Sequence, residues 1–461
     1  MKSSILCPTI VGGIASGVMA LLSVGPSAQA QDSADRQTLT LYQAVALAHE
    51  THPSVGEALA SENAAASAVG QAKSRWWPFL GTQASLGRYD KPMLVSPLHG
   101  FTQEEVQRIE FEQTLIQGAL SLNWTLYDGG ARGARIRGAQ AAHAGAVAGL
   151  AATQMGLTVQ VSVAYLQVLS ARGVLDAQNQ RIGALTAERE RVEMFLQEGQ
   201  AAEVELLRVE ANIAEAEAQR VAAATELDLA ERALARLIDL PVEGARVARL
   251  TPVGLSQAAR LAERAELVDL AVSNNPQLER ARHSVAAAEA QHRLTKASWI
   301  PSFDVTGSYQ AFTSNAGNYN DLWNVGIMLS YPLFTGGDRS NTVSRARAEL
   351  DATREEMRLL ELQTENDVDE ALNLALETRA LVESLSRAVQ LQTEVARIER
   401  LSLDAGAGTQ TDYLRAEADL ARARSILVEA QHAEIAAWVQ LARVIGELTP
   451  EWLDRNVESA R

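Results

Sequence analysis

One cassette is written twice in this chain. Trp77-Pro78, followed by alternating apolar and polar residues, returns 223 positions later as Ile300-Pro301. Leu126-Tyr127-Asp128-Gly129-Gly130 returns 207 positions later as Leu333-Phe334-Thr335-Gly336-Gly337. The 207 spacing also carries Gly199, Leu207, Arg208, Glu210 and Ala211 onto Gly406, Leu414, Arg415, Glu417 and Ala418. One spacing held over a helix, a turn and a second helix predicts a duplicated unit whose architecture was kept. Each half is expected to set a β-hairpin, 78–127 or 301–334, between long helices. Four strands cannot close a barrel on their own, so the pattern predicts a pore completed by several copies.

The ends and the composition narrow this further. Residues 1–30 read as a secretory signal, with Lys2, the apolar run Ile10 to Val24 and an Ala28-Gln29-Ala30 cleavage site that leaves Gln31 as the new terminus. The only cysteine, Cys7, lies inside that segment and lacks the small residues of a lipobox before it. The mature chain therefore needs no disulfide, thiolate metal site or cysteine nucleophile. A formal charge of −16 argues against nucleic acid as a partner. The expected layout is a first repeat over 31–240 with a helix pair at 131–238, a linker over 241–257, and a second repeat over 258–446 with a helix pair at 338–445. A tail over 447–461 is expected to be irregular and to pack outside the tube.

The hairpins alternate with period 2. Phe303, Val305, Gly307, Tyr309 and Ala311 interleave with Ser302, Asp304, Thr306, Ser308 and Gln310. Val325, Ile327, Leu329 and Tyr331 repeat the pattern, interrupted by Met328, as do Leu120, Leu122, Trp124 and Leu126; the strand from Leu80 to Arg88 is the weakest. Such alternation fits a half-buried sheet or a membrane strand of about 10 residues, apolar toward lipid and polar toward a wet lumen. Aromatic placement favours the second: Trp76, Trp77, Trp124, Tyr127, Trp299, Tyr331 and Phe334 fall where strands meet helices, the level of a bilayer interface. No transmembrane helix is expected. The first hairpin holds 16 more positions than the second, an excess read as a loop around Asp90 to Thr114.

Between Ala131 and Gln197, and again between Asp338 and Asp404, no proline occurs. Each run, if helical, spans about 100 Å at about 1.5 Å per residue, too long for a compact domain. Shorter helices are expected at Leu39 to Arg75, Glu203 to Ile238, Glu266 to Ala297 and Thr411 to Ile445, two laid end to end beside each long one. Apolar steps of three and four, as in Leu206, Val209, Ile213 and Ala216, predict coiled-coil seams. Turns at Gly199 and at Gly406-Ala407-Gly408-Thr409 put both tips at one end, remote from the strands, with Glu205, Arg208, Asp412 and Arg415 just beyond them.

These features together resemble the TolC family of outer-membrane efflux and secretion channels. The resemblance rests on the Trp-Pro step into the first strand, on Leu-Tyr-Asp-Gly-Gly and Pro-Leu-Phe-Thr-Gly-Gly where strands leave for helices, and on the tip motif Gly-x-Gly-Thr-x-Thr-Asp-Tyr-Leu, and it covers about Leu39 to Gly446. It implies a mainly α protein with a membrane β-barrel, in which three protomers contribute four strands each and their helices form a periplasmic coiled-coil α-barrel. It implies as partners a homotrimer, outer-membrane lipid, and a periplasmic adaptor that links the tips Gly199, Gly406, Gly408 and Thr409 to an inner-membrane pump. Pro78, Pro301, Gly129, Gly130, Gly336 and Gly337 become strand–helix junctions. Asp412, Arg415, Glu205 and Arg208 become constriction residues, with Arg415 standing where relatives carry a second acid and able to pair with Asp412.

The chemistry of catalysis is not legible here. No HExxH, GxSxG, Walker A or GxGxxG pattern occurs, and the seven histidines are scattered without ligand spacing, so no enzyme, cofactor or metal site is expected. Arg132, Arg135, Arg137, Arg339, Arg345 and Arg347 lie in the first turns below the strands and are candidates for lipid head groups, or plain surface charge. The expected function is a passive exit duct of an efflux pump or type I secretion system. The alternative is a periplasmic coiled-coil scaffold without a pore.

Overall fold

The computed structural model describes residues 38–95, 111–241, 249–256, 262–317 and 319–459. The signal segment with Ala30 and Gln31, and most of the first hairpin's loop, lie outside the described residues. In chain order the elements are β1 (Thr38–Leu39), α1 (Leu41–Thr51), α2 (Pro53–Ser74), β2 (Phe79–Leu94), β3 (Phe111–Tyr127), α3 (Ala131–Gln197) and α4 (Glu203–Leu237). There follow β4 (Arg249–Leu250), β5 (Val253–Leu255), α5 (Arg264–Asn274), α6 (Pro276–Ala297), β6 (Ser302–Ser314), β7 (Tyr319–Ser330), α7 (Asp338–Asp404), α8 (Gln410–Val444), α9 (Pro450–Asn456) and β8 (Val457–Ser459).

Two helices of 67 residues, α3 and α7, run the length of the helical layer. Toward the strands the packing order is α2–α3–α6–α7, and toward the tips it is α4–α3–α8–α7. Small residues let these helices close up: a side chain at Gly173 would meet Val428 Cγ1 at 2.5 Å, so glycine there lets α8 lie against α3. The expected single helices at 39–75 and 266–297 are each broken in two. Pro53 and Pro276, 223 positions apart, push the preceding His52 and Asn275 into extended backbone, which ends α1 and α5 and lets each polar side chain cap the next helix.

The main core lies where α1, α3, α4, α8 and α9 converge, around Val45, Val161, Tyr165, Val168, Ile238, Trp438 and Leu453. The Tyr165 hydroxyl lies 2.8 Å from the carbonyls of both Leu39 and Thr251, tying β1 and the stretch after β4 to the middle of α3. The stretch expected to be linker forms β4, which pairs with β1, and β5, which pairs with β8. The tail expected to be irregular forms α9 and β8, and buries Trp452 and Leu453 in the core. Thr449 caps α9, so a cap, a proline at the first helical position and two large apolar residues were the signal.

The remaining four strands form one antiparallel sheet in the order β2-β3-β6-β7. Both ends of the stretch read as loop are strand, because β2 runs to Leu94 and β3 begins at Phe111. Pro92 is tolerated since the β2–β3 ladder is irregular between Arg88 and Met93 and β2 is an edge strand. By length and apolarity alone a stretch of α3 is long and apolar enough to cross a membrane. Its alanines, valines and leucines instead serve packing against helices on both sides.

Candidate functional site

Cross-strand register places the apolar positions on one face. Leu80, Leu122, Gly307 and Val325 form one row, Thr82, Leu120, Tyr309 and Trp323 another, and Trp124, Val305 and Ile327 a third. Leu80, Leu120, Trp323, Val325, Ile327 and Leu329 are all exposed large apolar residues. The opposite face carries Gln83, Ser121, Asn123, Thr306, Ser308 and Asn324. That face is not wholly polar: Leu115 and Phe312 pack with Val95 and Leu322 at its far end, and Met328 lies on it. Both outer edges of the sheet, on β2 and β7, lack a partner strand among the described residues.

At each strand-to-helix junction a glycine pair turns the chain with matching positive φ, 65° and 89° at Gly129 and Gly130, 60° and 88° at Gly336 and Gly337. Trp76 and Trp299 come from the turns that lead α2 to Pro78 and α6 to Pro301. They are capped by arginines: Arg132 stacks over Trp76 at 4.2 Å, and Arg339 over Trp299 at 4.7 Å and Tyr331 at 5.2 Å. Arg132 donates to the carbonyls of Thr125 and Leu126, and Arg339 to those of Ser298 and Pro332. Neither is a freely exposed headgroup contact, since Arg132 is 4% and Arg339 8% exposed. Arg132 fastens the last carbonyls of β3, and Arg339 the carbonyls just after α6 and β7, to the first turn of a long helix. Arg345 and Arg347 pair instead with Glu349 and Asp351 one turn along α7.

At the opposite end, Gly199 and Gly406 close the helical hairpins with φ of 74° and 72°. A side chain on Gly408 would meet Ser402 Cβ at 2.9 Å. Thr409 caps α8: its Oγ1 accepts from the Asp412 N–H at 3.2 Å and donates to Asp412 Oδ2 at 2.6 Å. Asp412 is thus held by its own cap, and no Asp412–Arg415 ion pair forms; Arg415 is exposed at the surface of α8. Arg208 reaches across to Thr411 Oγ1 at 3.2 Å, while Glu205 is half-buried in the first turn of α4.

The strongest tip interactions involve residues that the sequence reading missed. Glu188 is fully buried and takes a bidentate pair from Arg191, at 2.9 and 2.6 Å, plus Arg400 of α7 at 3.1 Å. Arg400 also pairs with Asp404 at 3.4 Å and stacks over Tyr413 of α8 at 5.2 Å. Burial opposes the charge on Arg400, but Tyr413, Asp404 and Glu188 outweigh it, and its pKa is raised. Burial raises that of Tyr413. Gln410 is buried with neither amide atom hydrogen-bonded. A sequence signal existed: Arg181, Leu185, Glu188 and Val192 step by four, three and four, so charges occupy seam positions where apolar residues belong.

The outer membrane efflux protein family matches residues 44–239 and 267–447, well over half of the chain. The chain belongs to this family. As an outer membrane efflux protein it is 29% identical over 293 residues to the alkaline protease secretion protein AprF of Pseudomonas aeruginosa, a match spanning 60% of each chain. It is 24% identical over 417 residues to the outer membrane protein TolC of Vibrio cholerae, covering 88% of this chain and 90% of TolC. The match to AprF, like that to the protease secretion protein PrtF of Dickeya chrysanthemi at 61%, spans less than two thirds of the relative's length. In fold it is similar to the outer membrane protein VceC of Vibrio cholerae, with a TM-score of 0.72 at 19% identity over 88% of this chain and 96% of that one. In this outer membrane efflux protein the sheet carries one face of exposed apolar residues, and the two strand–helix junctions lie at one end of it.

Proposed function

We propose that three copies of this chain form a passive exit duct across the outer membrane and periplasm, served by a periplasmic adaptor and an inner-membrane pump. The observation that carries this reading is the pair of open sheet edges. In lipid, each unpaired backbone group along β2 and β7 costs several kcal/mol, so the edges must be closed by other copies. Cyclic repetition closes them all with one interface.

The helices support the same closure. Besides the seam it buries against α3, α4 exposes a second one, Val204, Leu207, Ala211, Ala214, Ala218 and Val221, stepping by three and four. On α7, the other edge of the layer, Leu391, Val395, Ile398 and Leu401 are exposed. Two unpartnered seams on opposite edges are what neighbouring protomers need to zip into an α-barrel. Paired helix lengths of 67 and 35 residues, with matched glycine φ angles at the 207 spacing, support an internal duplication behind the two halves.

As cargo we favour secreted polypeptide delivered by a type I system, because AprF and PrtF are named for protease secretion. Glu205, Arg208, Asp412 and Arg415 are placed at the periplasmic mouth in this reading, and Gly199, Gly406, Gly408 and Thr409 at the turns an adaptor would meet. The test is charge on the lipid face. Leu122→Lys or Val325→Lys, in the row midway along the sheet, should each cost about 2–4 kcal/mol of membrane stability near the bilayer centre and abolish heat-labile oligomers in outer membranes. A scaffold with a soluble sheet would tolerate both, and would give no conductance in a planar bilayer.

A further inference from the structure

Two spacings carry the first hairpin onto the second with its register intact. Phe79 lies opposite Asn123. Moving β2 residues by 223 and β3 residues by 207 turns this pair into Ser302 opposite Ser330, which is the pair observed between β6 and β7. Leu80 opposite Leu122 becomes Phe303 opposite Leu329, again the observed pair. The two hairpins are therefore equivalent units of one ladder. Where they meet, β3 lies on β6, with Leu120 opposite Tyr309 and Leu122 opposite Gly307. That step has no counterpart within one copy, because β7 and β2 are the outer edges of the sheet.

Bare surfaces show where the counterpart belongs. At the first junction a side chain on Gly129 would meet Ile300 Cβ at 2.8 Å and the Ala297 carbonyl at 2.9 Å, so the turn out of β3 is seated on the entry to β6. Gly336, 207 positions on, has nothing within 4 Å. Beside it Leu333 and Phe334 are 87% and 89% exposed, against 43% and 48% for Leu126 and Tyr127. On the opposite edge of the sheet Trp77, the counterpart of Ile300, is 77% exposed against 42%. The sheet is antiparallel throughout and has four strands, so β2 and β7 run in opposite directions. Copies turned about an axis alongside the strands then meet antiparallel, as β3 and β6 do.

We infer that β7 of one copy pairs with β2 of the next in the register that β3 keeps on β6. Ile327 then lies opposite the neighbour's Leu86, Leu329 opposite its Ala84, and the neighbour's Trp77 seats on Gly336. This register continues both faces of the sheet. Ile327, Leu329 and Leu86 belong to the exposed apolar face, while Met328 and Ser330 meet Ser85 and Gln83 on the other. A slip of one residue would set apolar positions against polar ones along the whole edge. The contact is head-to-tail, since copies joined β2 to β2 or β7 to β7 would leave the other edges open.

This inference rests on the duct reading, and its test separates the two. Cysteine pairs are placed in the full chain with Cys7→Ser as background, oxidised in outer membranes, and read on heated, non-reducing gels. Residues directly opposite hold their Cα atoms about 4.5–5.5 Å apart, within disulfide range, whereas diagonal neighbours lie about 7–8 Å apart. Ile327→Cys with Leu86→Cys should give covalent dimers and trimers, on the order of tenfold more than Ile327→Cys with Ala84→Cys. Stronger linking by the Ala84 pair overturns the register. Linking by Ile327→Cys or Leu86→Cys alone overturns the head-to-tail order. Oligomers that persist on unheated gels yet link through neither pair overturn the strand contact and leave the duct reading standing. A chain that is monomeric and soluble without detergent overturns the duct reading itself. Trp77→Ala should lower the temperature at which the oligomer dissociates while the helical melt of the protomer holds; an unchanged dissociation temperature overturns the seat on Gly336.

Discussion

The helices α3 and α7 have equal length, matching glycine turns at both ends and opposite surroundings. α3 has helices on both flanks, α1, α2 and α4 on one side and α6 and α8 on the other, whereas α7 packs chiefly on α5, α6 and α8 and reaches α3 through Arg400 and Glu188 near the tip. Their sequences follow the neighbours rather than the shared geometry. α3 is rich in Ala and Gly and buries Leu157, Val161, Tyr165 and Val168; α7 is laced with i,i+4 Arg–acid pairs and leaves leucines bare on its outer side. The same backbone thus became an interior post in one half and an edge in the other. In the proposed duct an edge with bare leucines is the face that a neighbouring copy covers.

The sharpest way to break this contrast is to place one charge on each helix. Val161→Asp or Val168→Glu, at fully buried positions of α3, should unfold the chain, since an unpaired buried charge costs several kcal/mol; loss of the helical circular-dichroism melt is the readout. Leu391→Glu or Ile398→Glu on α7 should leave that melt of the protomer in place and dissolve the oligomer on unheated gels. If both classes behave alike, the two helices do not differ as described.

Next in size is the joint between the helical hairpins. Glu188→Ala strands Arg191 and Arg400 without their buried carboxylate and should cost about 3–5 kcal/mol. Hydrogen exchange should rise locally in the tip halves of α3 and α7 and stay unchanged near the strands. Tyr165→Phe removes the hydroxyl shared by two carbonyls and should cost about 1–3 kcal/mol in a thermal melt. Burial raises the Tyr165 pKa from 10.0 to about 12. Its contribution should therefore be whole below pH 10 and vanish as pH climbs through about 12, whereas the Phe variant should lack that component. The smallest effect belongs to the α8 cap: Thr409→Ala should cost about 1 kcal/mol and loosen Asp412.

Legibility in the sequence followed the reach of each signal. Glycine pairs, proline-free runs and period-2 strands are local, and they place α3, α7 and the apolar face of the sheet with little error. Pro53 and Pro276 were equally local, but the steady helical pattern on either side hid the breaks they cause. Strand extension to Leu94 through Pro92 needs the ladder to β3, which composition does not display. The tip cluster was the deepest omission. Glu188, Arg400 and Tyr413 come from three helices, and only folding brings them together. Asp412 reads either as a ring acid or as a plain helix cap, and in the protomer its backbone N–H and its carboxylate are both bonded to Thr409, the residue that caps α8. Arg132 and Arg339 read as lipid head-group contacts or plain surface charge; their burial depends on the carbonyls of Thr125, Leu126, Ser298 and Pro332, which only folding brings beside them.

The central claim is that one sheet has two open edges which other copies close. The most direct test is the mass of the outer-membrane-extracted protein by native mass spectrometry in detergent, with the single-site variant Leu391→Glu alongside. Three copies for the wild type, falling to one for the variant, is the predicted result. A wild-type protomer that extracts as a single chain with its sheet edges protected from exchange would contradict it.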